Sequence, residues 1–163
     1  MKTKIILNGK EIETVETTAY KLKDKLGKPT DIVILNGFQI EEINPFIKVE
    51  VRNVKVTEDN VKELFSGYDI VCEAFDKPDA KAVLVNTALQ QLPGIKIVAA
   101  SGMAGFESSN LIKTTRPMTK LYICGDLEKG AGLGNGLMAP RVMVCAGHQA
   151  NMVLRLLVGI EEV

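Results

Sequence analysis

The sequence predicts an α/β layer architecture preceded by a short strand, strand, helix, strand segment. Three observations carry this reading. Alternating runs at 4–7 and 10–15 flank Asn8-Gly9, and beyond Asn44-Pro45 strand-length apolar runs alternate with helix-length amphipathic ones. The runs Ile70-Val71 and 95–100 are apolar enough to be covered on both faces, as strands of a parallel sheet joined by helical crossovers are.

Each element has its own local reason. Lys4-Ile5-Ile6-Leu7 and the following Lys10-Glu11-Ile12-Glu13-Thr14-Val15 are joined by Asn-Gly, which suits a tight hairpin because both central residues need positive φ. Thr17 or Thr18 can cap a helix over 19–26, with Tyr20, Leu22 and Leu26 apolar and Gly27 as its stop. A third strand, 31–35, runs into a second Asn36-Gly37. The tetrapeptide Ile-Leu-Asn-Gly therefore occurs at 6–9 and 34–37, which two strand ends leading into turns explain without a tandem repeat. After Pro45, Ile47, Val49 and Val51 alternate with Lys48, Glu50 and Arg52.

Thr57, followed by Glu58, Asp59 and Asn60, opens a helix over 58–65 that stops at Gly67. A strand at 69–75, a helix at 78–92 and a strand at 96–101 follow, then β-leaning stretches at 110–115 and 120–124. A glycine-rich loop covers 125–136. The last helix spans 139–158, with Val142, Cys145, Met152, Leu156 and Val153, Leu157 at helical spacing and Gly159 at its end.

Composition excludes several classes of function. At 163 residues the chain is one domain or two very small ones, and 46% apolar with 25% charged residues fits neither disorder nor a fibrous repeat. Twenty basic residues balance twenty acidic ones, so no basic face for nucleic acid is implied. The longest apolar stretches fall far short of the ~20 residues that cross a bilayer, and the N-terminus does not read as a signal peptide, so a cytoplasmic protein is expected. Cys72, Cys124 and Cys145 are far apart and never paired as Cys-x-x-Cys, so neither a disulfide framework nor a zinc site is expected.

Several residues could carry chemistry. Gly130-Ala131-Gly132-Leu133-Gly134-Asn135-Gly136 looks like a dinucleotide loop, but Asn135 and Leu137 break two Gly-x-Gly-x-x-Gly frames. The third frame, from Gly134 to Ala139, lies too far from the strand ending at Cys124 to form a tight strand-to-helix turn, so a mobile surface loop is the reading. Asp76 ends a parallel strand, at the edge where open α/β sheets bind ligands, and could hold Mg²⁺ with substrate phosphates. Asp76-Lys77-Pro78 equally reads as a helix start with Asp76 as cap or near-cap. Ser101-Gly102 ends the next strand and offers small residues for close approach. His148, the sole histidine, has the spacing of a packing residue rather than of a catalytic base, and Arg141 and Arg155 read as helix-surface charges rather than phosphate ligands.

Residues 43–163 resemble the C-terminal half of ThiF-type proteins, relatives of the ubiquitin-activating enzymes. The resemblance rests on Ile43-Asn44-Pro45-Phe46 with Lys48-Val49-Glu50, on 71–76 with Lys77-Pro78-Asp79-Ala80-Lys81 and Asn86, on Val98-Ala99-Ala100-Ser101-Gly102, and on Met138-Ala139-Pro140-Arg141-Val142. Residues 1–42, with Ile6-Leu7-Asn8-Gly9-Lys10-Glu11 and Val33-Ile34-Leu35-Asn36-Gly37, are similar to the start of a ThiS-like ubiquitin fold. The resemblance implies a partial Rossmann-like, three-layer ThiF/MoeB-type core at 43–163 behind an incomplete β-grasp segment at 1–42. It also implies ATP and Mg²⁺, a ThiS-type sulfur carrier as partner, thiamine biosynthesis as the pathway, and a homodimer.

Carried over residue by residue, the family's Mg·ATP aspartate falls on Asp76, which thereby becomes the catalytic and metal candidate. Lys81, Ser101 and Gly102 join it as nucleotide-binding candidates. Lys77 stands where the family usually has Asn. The family's phosphate-binding glycine turn has no counterpart, because the chain passes from ThiS-like to the later half of the ThiF-like fold between Glu42 and Ile43, and the Gly-Gly tail of a carrier is missing. Adenylation that is absent, weak or dependent on a partner is therefore expected of this chain, with an uncovered sheet edge that favours association. The alternative is a non-catalytic oligomerisation or carrier-binding module with Asp76 serving only the helix start.

Overall fold

The computed structural model describes residues 3–7, 10–14, 34–35, 38–39, 46, 49–50, 52, 54–128 and 130–163, the strands before residue 40 by their backbone pairing. The chain divides into two compact units, Met1–Lys55 and Val56–Val163. In the first, β1 (Thr3–Leu7) pairs antiparallel with β2 (Lys10–Thr14), Leu7 facing Lys10. A second antiparallel pair, β3 (Ile34–Leu35) with β4 (Phe38–Gln39), sets Leu35 opposite Phe38. Each pairing spans an Asn-Gly dipeptide. The strand β4 was not anticipated, since only the strand entering the second Asn-Gly carries a long apolar run. The expected helix at 19–26 lies outside the described residues, as do 31–33, Ile47, Lys48 and Val51.

The second unit holds the α/β core. It opens with α1 (Val61–Phe65), shorter than the expected 58–65 because 58–60 form a turn. That turn is closed by the Thr57 N–H donating to Asn60 Oδ1 at 2.8 Å. Then come β5 (Ile70–Cys72), α2 (Pro78–Gln91), β6 (Lys96–Ala100), β7 (Lys113–Met118), β8 (Leu121–Gly125) and α3 (Ala139–Leu157). Asn110 and Leu111, expected to begin a strand, lie instead in a 3-10 turn over Ser109–Leu111, where the Ser108 hydroxyl accepts the Asn110 N–H at 3.3 Å.

The sheet order is β5-β6-β8-β7. The strands β5, β6 and β8 run parallel, and β7 is antiparallel to β8 with an irregularity between Thr115 and Met118, where Pro117 cannot donate to the ladder. Among the described residues β5 pairs only with β6.

Side chains alternate along the strands to supply a core on each face. Val61, Val71, Leu84, Ala88, Ile97 and Leu121 fill one side, under α1 and α2. Val98, Tyr122, Cys124, Cys145, Met152 and Leu156 fill the other, under α3. The result is the expected three-layer arrangement. The seam of α3 differs from expectation in that Val142 and Leu157 are exposed, while Arg141, Cys145, Gln149, Met152 and Leu156 are buried. Apolar periodicity could not reveal a buried stripe that runs through an arginine and a glutamine. Among the described residues no helix is long and apolar enough to cross a membrane.

Candidate functional site

The C-terminal ends of the three parallel strands bring the candidate residues to one edge of the sheet. The strand β5 delivers Glu73 and then Asp76, β6 delivers Ser101 and Gly102, and β8 delivers Gly125 and Asp126. Open α/β sheets bind ligands at this edge.

Glu73, which the candidate residues read from the sequence did not include, is firmly held at this edge. Its N–H continues the ladder to the Val98 carbonyl at 2.8 Å, and its side chain is fully buried. The carboxylate accepts the Phe75 N–H at 2.6 Å and the Ala100 N–H at 3.3 Å, and it is ion-paired with the Lys81 ammonium. Gln149 on α3 donates to the Glu73 carbonyl at 2.8 Å, tying the strand end to the opposite layer. Burying a carboxylate is costly unless charge and hydrogen bonds compensate it, and here both do. The only local hint was an acidic residue inside the apolar run Ile70-Val71-Cys72-Glu73-Ala74-Phe75.

Asp76 itself is exposed, directly before Lys77, which holds the N-cap position of α2. No side chain makes a cap hydrogen bond there, so Asp76 has the near-cap place without a cap's bond. Its carboxylate belongs to the solvent-facing corner between β5 and α2. Lys81 sits in the second turn of α2, with its side chain 27% exposed and its ammonium on Glu73. Ser101 and Gly102 are half-buried beside this corner, with the Ser101 N–H on the Cys124 carbonyl at 2.8 Å. Gly125, at φ +152°, lies against Ser101, and a Cβ there would sit 3.0 Å from the Ser101 Cβ.

A second polar centre lies behind the ends of β6 and β8. Arg141, expected on the helix surface, is buried: it donates to the Ala104 carbonyl at 3.0 Å, to Glu107 Oε2 at 3.2 Å and to Asp126 Oδ2 at 2.7 Å. Among the described residues its Nε is buried without a partner. The correction has a physical cause: the first turn of α3 packs onto two loops whose carboxylates only the tertiary fold assembles. Gly105, at φ +91°, completes this centre, since a Cβ there would lie 2.5 Å from Glu107 Oε2 and 2.8 Å from Asn135 Oδ1.

The glycine-rich stretch is a surface loop, with Gly132 and Asn135 bonded to each other around a tight turn, and Gly136 accepts the Gly105 N–H at 2.9 Å. It spans 126–138 between β8 and α3, far longer than a phosphate-cradling strand-to-helix turn.

His148 is half-buried with Nδ1 3.2 Å from Thr114 Oγ1, consistent with a packing residue. Arg155 is half-buried rather than a free surface charge, and it donates to the Glu162 carbonyl at 3.0 Å. Burial pushes all three thiols up, Cys145 to about 11 with the neighbouring Cys124 adding to it, so none is poised as a thiolate near neutral pH. Among the described residues no group of His, Cys, Asp or Glu is set to hold a metal on its own. A single exposed carboxylate such as Asp76 still fits Mg²⁺ that arrives with phosphate oxygens, the usual way this ion is bound.

Comparison with known proteins places this geometry. Residues 37–163 match the ThiF family, and residues 3–45 match the ThiS-like ubiquitin family. The adenylyltransferase and sulfurtransferase UBA4 of Yarrowia lipolytica is 27% identical over 133 residues, a match covering 74% of this chain and 31% of that protein. A solved structure of TcdA (CsdL) superposes with a TM-score of 0.54 at 19% identity, over 72% of this chain and 62% of that one. The Escherichia coli tRNA N6-threonylcarbamoyladenosine dehydratase TcdA in complex with ATP gives 0.53 at 19% identity, over 74% and 63%. The chain thus spans about a third of the curated relative and less than two thirds of the solved ones.

Proposed function

The chain belongs to the ThiF family, and from that premise we propose that it supplies part of an ATP-dependent adenylyltransferase acting on a ThiS-type ubiquitin-like sulfur carrier. In that reaction a carboxylate at the carrier's C-terminus attacks the α-phosphate of ATP, the bond to the β-phosphate breaks, and pyrophosphate leaves with the displaced electron pair. The observation that carries the reading is Asp76, an exposed carboxylate at the C-terminal end of β5, with its backbone corner fixed by the buried Glu73–Lys81 pair. Mg²⁺ bound there would neutralise developing charge on the phosphates.

The protein's own residues have separate tasks. Asp76 would hold the ion. Ser101 and Gly102 would form the neighbouring wall, kept small and open by Gly125 behind them. Lys81, its ammonium engaged by Glu73, would serve the nucleotide chiefly as a positioning residue that keeps Asp76 in place. The ThiS-like match at 3–45 supports a carrier of that type; thiamine biosynthesis, a cytoplasmic setting and a boundary between the two parts near residue 42 belong to the same proposal. The ATP complex of the E. coli relative supports ATP as the nucleotide.

A second reading, a non-catalytic docking or dimer-forming module, is favoured by two observations. Met143, Leu154 and Leu157 are exposed on α3, and β5 has one edge unpaired among the described residues. Calorimetric titration of Mg·ATP, with and without a ThiS-type carrier, separates the two. Binding that vanishes in Asp76→Ala supports the adenylyltransferase reading. Absence of binding under both conditions refutes it and leaves the docking module.

A further inference from the structure

The helix α3 is apolar on two opposite sides. One side carries the buried seam of Cys145, Met152 and Leu156. The other presents Met143, Leu154 and Leu157, exposed by 74%, 59% and 69%, with the exposed Ala146, Gly147 and Ala150 between them. No charge interrupts this outer side. The helix has two formally charged residues, Arg141, which is buried, and Arg155, which is half-buried and bonded to the Glu162 carbonyl. A surface helix ordinarily keeps its outer face polar, and one that is hydrophobic all round is a covered helix.

The order of side chains along this face says what covers it. Met143 and Leu157 stand seven residues to either side of Ala150, and Ala146 and Leu154 stand four. A two-fold axis at Ala150 therefore lays the face onto itself, which is the condition for a contact between identical chains.

Bulk is distributed to match. In antiparallel pairing Ala146 meets the partner's Leu154, Gly147 meets the partner's Val153, and the adaptable Met143 meets the partner's Leu157. Small residues thus face large ones. Parallel pairing would set Leu154 on Leu154 and Gly147 on Gly147, splaying the helices at one end and leaving a void at the other. A Cβ added at Gly147 would have nothing within 4 Å, so the backbone is open to close approach there.

We propose that α3 pairs with α3 of a second copy of this chain, antiparallel about a two-fold axis at Ala150. This contact rests on the docking reading and fixes its partner as the chain itself. Sedimentation equilibrium of the full chain over a dilution series tests it.

The expected result is a concentration-dependent dimer whose dissociation constant rises at least about a hundredfold in Ala150→Glu, where two carboxylates meet on the axis. Ala150 is exposed and glutamate is a good helix former, so the variant keeps its helix, which circular dichroism checks. Met143→Lys and Leu157→Glu should each weaken the dimer. The double variant should bind at least about tenfold tighter than either, because antiparallel pairing sets the two unlike charges face to face. A chain that stays monomeric at every concentration overturns the proposal but not the docking reading, which the carrier titration tests. A dimer that Ala150→Glu leaves unchanged overturns this face as the contact, and a double variant no tighter than the single ones overturns the antiparallel register.

Discussion

Two ion pairs brace the ligand edge of this sheet, and they differ in how evenly the two charges are buried. At the end of β5 the deeper partner is an anion: Glu73 is fully buried, backbone N–H groups and one cation converge on it, and Lys81 remains partly exposed. Behind β6 and β8 both partners of the closest pair are buried, Arg141 and Asp126 alike, and Arg141 also reaches Glu107 and the Ala104 carbonyl while its Nε has no partner among the described residues. The Glu73 carboxylate is held by two backbone N–H groups besides its cation, whereas the Arg141 guanidinium relies mainly on carboxylates.

The most damaging way to break the comparison is Asp126→Ala. It leaves the Arg141 guanidinium buried without its closest partner and should cost about 3–5 kcal/mol, read as a lowered urea midpoint at unchanged slope. Acid should not restore the loss. Lys81→Met should cost slightly less, about 3 kcal/mol, because the Phe75 and Ala100 N–H groups still hold the Glu73 carboxylate. Lys81→Arg should restore both stability and any Mg·ATP affinity. If Lys81→Met lowers affinity with no change in stability, Lys81 contacts the nucleotide directly and is not a positioning residue.

Gly105→Ala comes next, at about 1–3 kcal/mol, because it combines a left-handed backbone with a methyl group driven into Glu107 and Asn135. A neutral outcome would show that the Arg141 centre tolerates rearrangement. Asp76→Ala should change stability by less than about 0.5 kcal/mol, as no cap bond is lost.

The mildest test uses Glu161, an exposed counterpart of these two pairs. Hydrogen bonds from Lys96 and then Arg116 hold its carboxyl below the ordinary 4.5. A lowered carboxyl group stabilises the fold fully above its unfolded value and loses that contribution as pH falls through the folded one. Thermal melts of Glu161→Gln and the unaltered chain should therefore differ at neutral pH and converge in acid. A difference that persists unchanged well below pH 4.5 would show that Glu161 acts by packing instead.

The legible parts of the fold were those with a local cause. The hairpin at Asn8-Gly9, the alternation of β5, α2 and β6, and the long α3 ending at Gly159 all follow from turn chemistry and apolar spacing. The place of Asp76 was legible only as the segment leading from β5 into α2, since the strand stops at Cys72 rather than at 75 as its apolar run suggested. What supports Asp76 was not legible. Glu73 meets Lys81 across a strand-to-helix corner, and Arg141 meets Asp126 and Glu107 across two loops, so no periodicity along the chain reports either.

The amino-acid sequence by itself determined the element order, the layer architecture and the edge at which the candidate residues gather, because each depends on interactions within a few residues. Only the tertiary structure decided which charges are buried and what each one holds. Desolvation and ion pairing act through space, so the same lysine or arginine is a solvated surface group or the centre of a brace according to what the fold sets beside it.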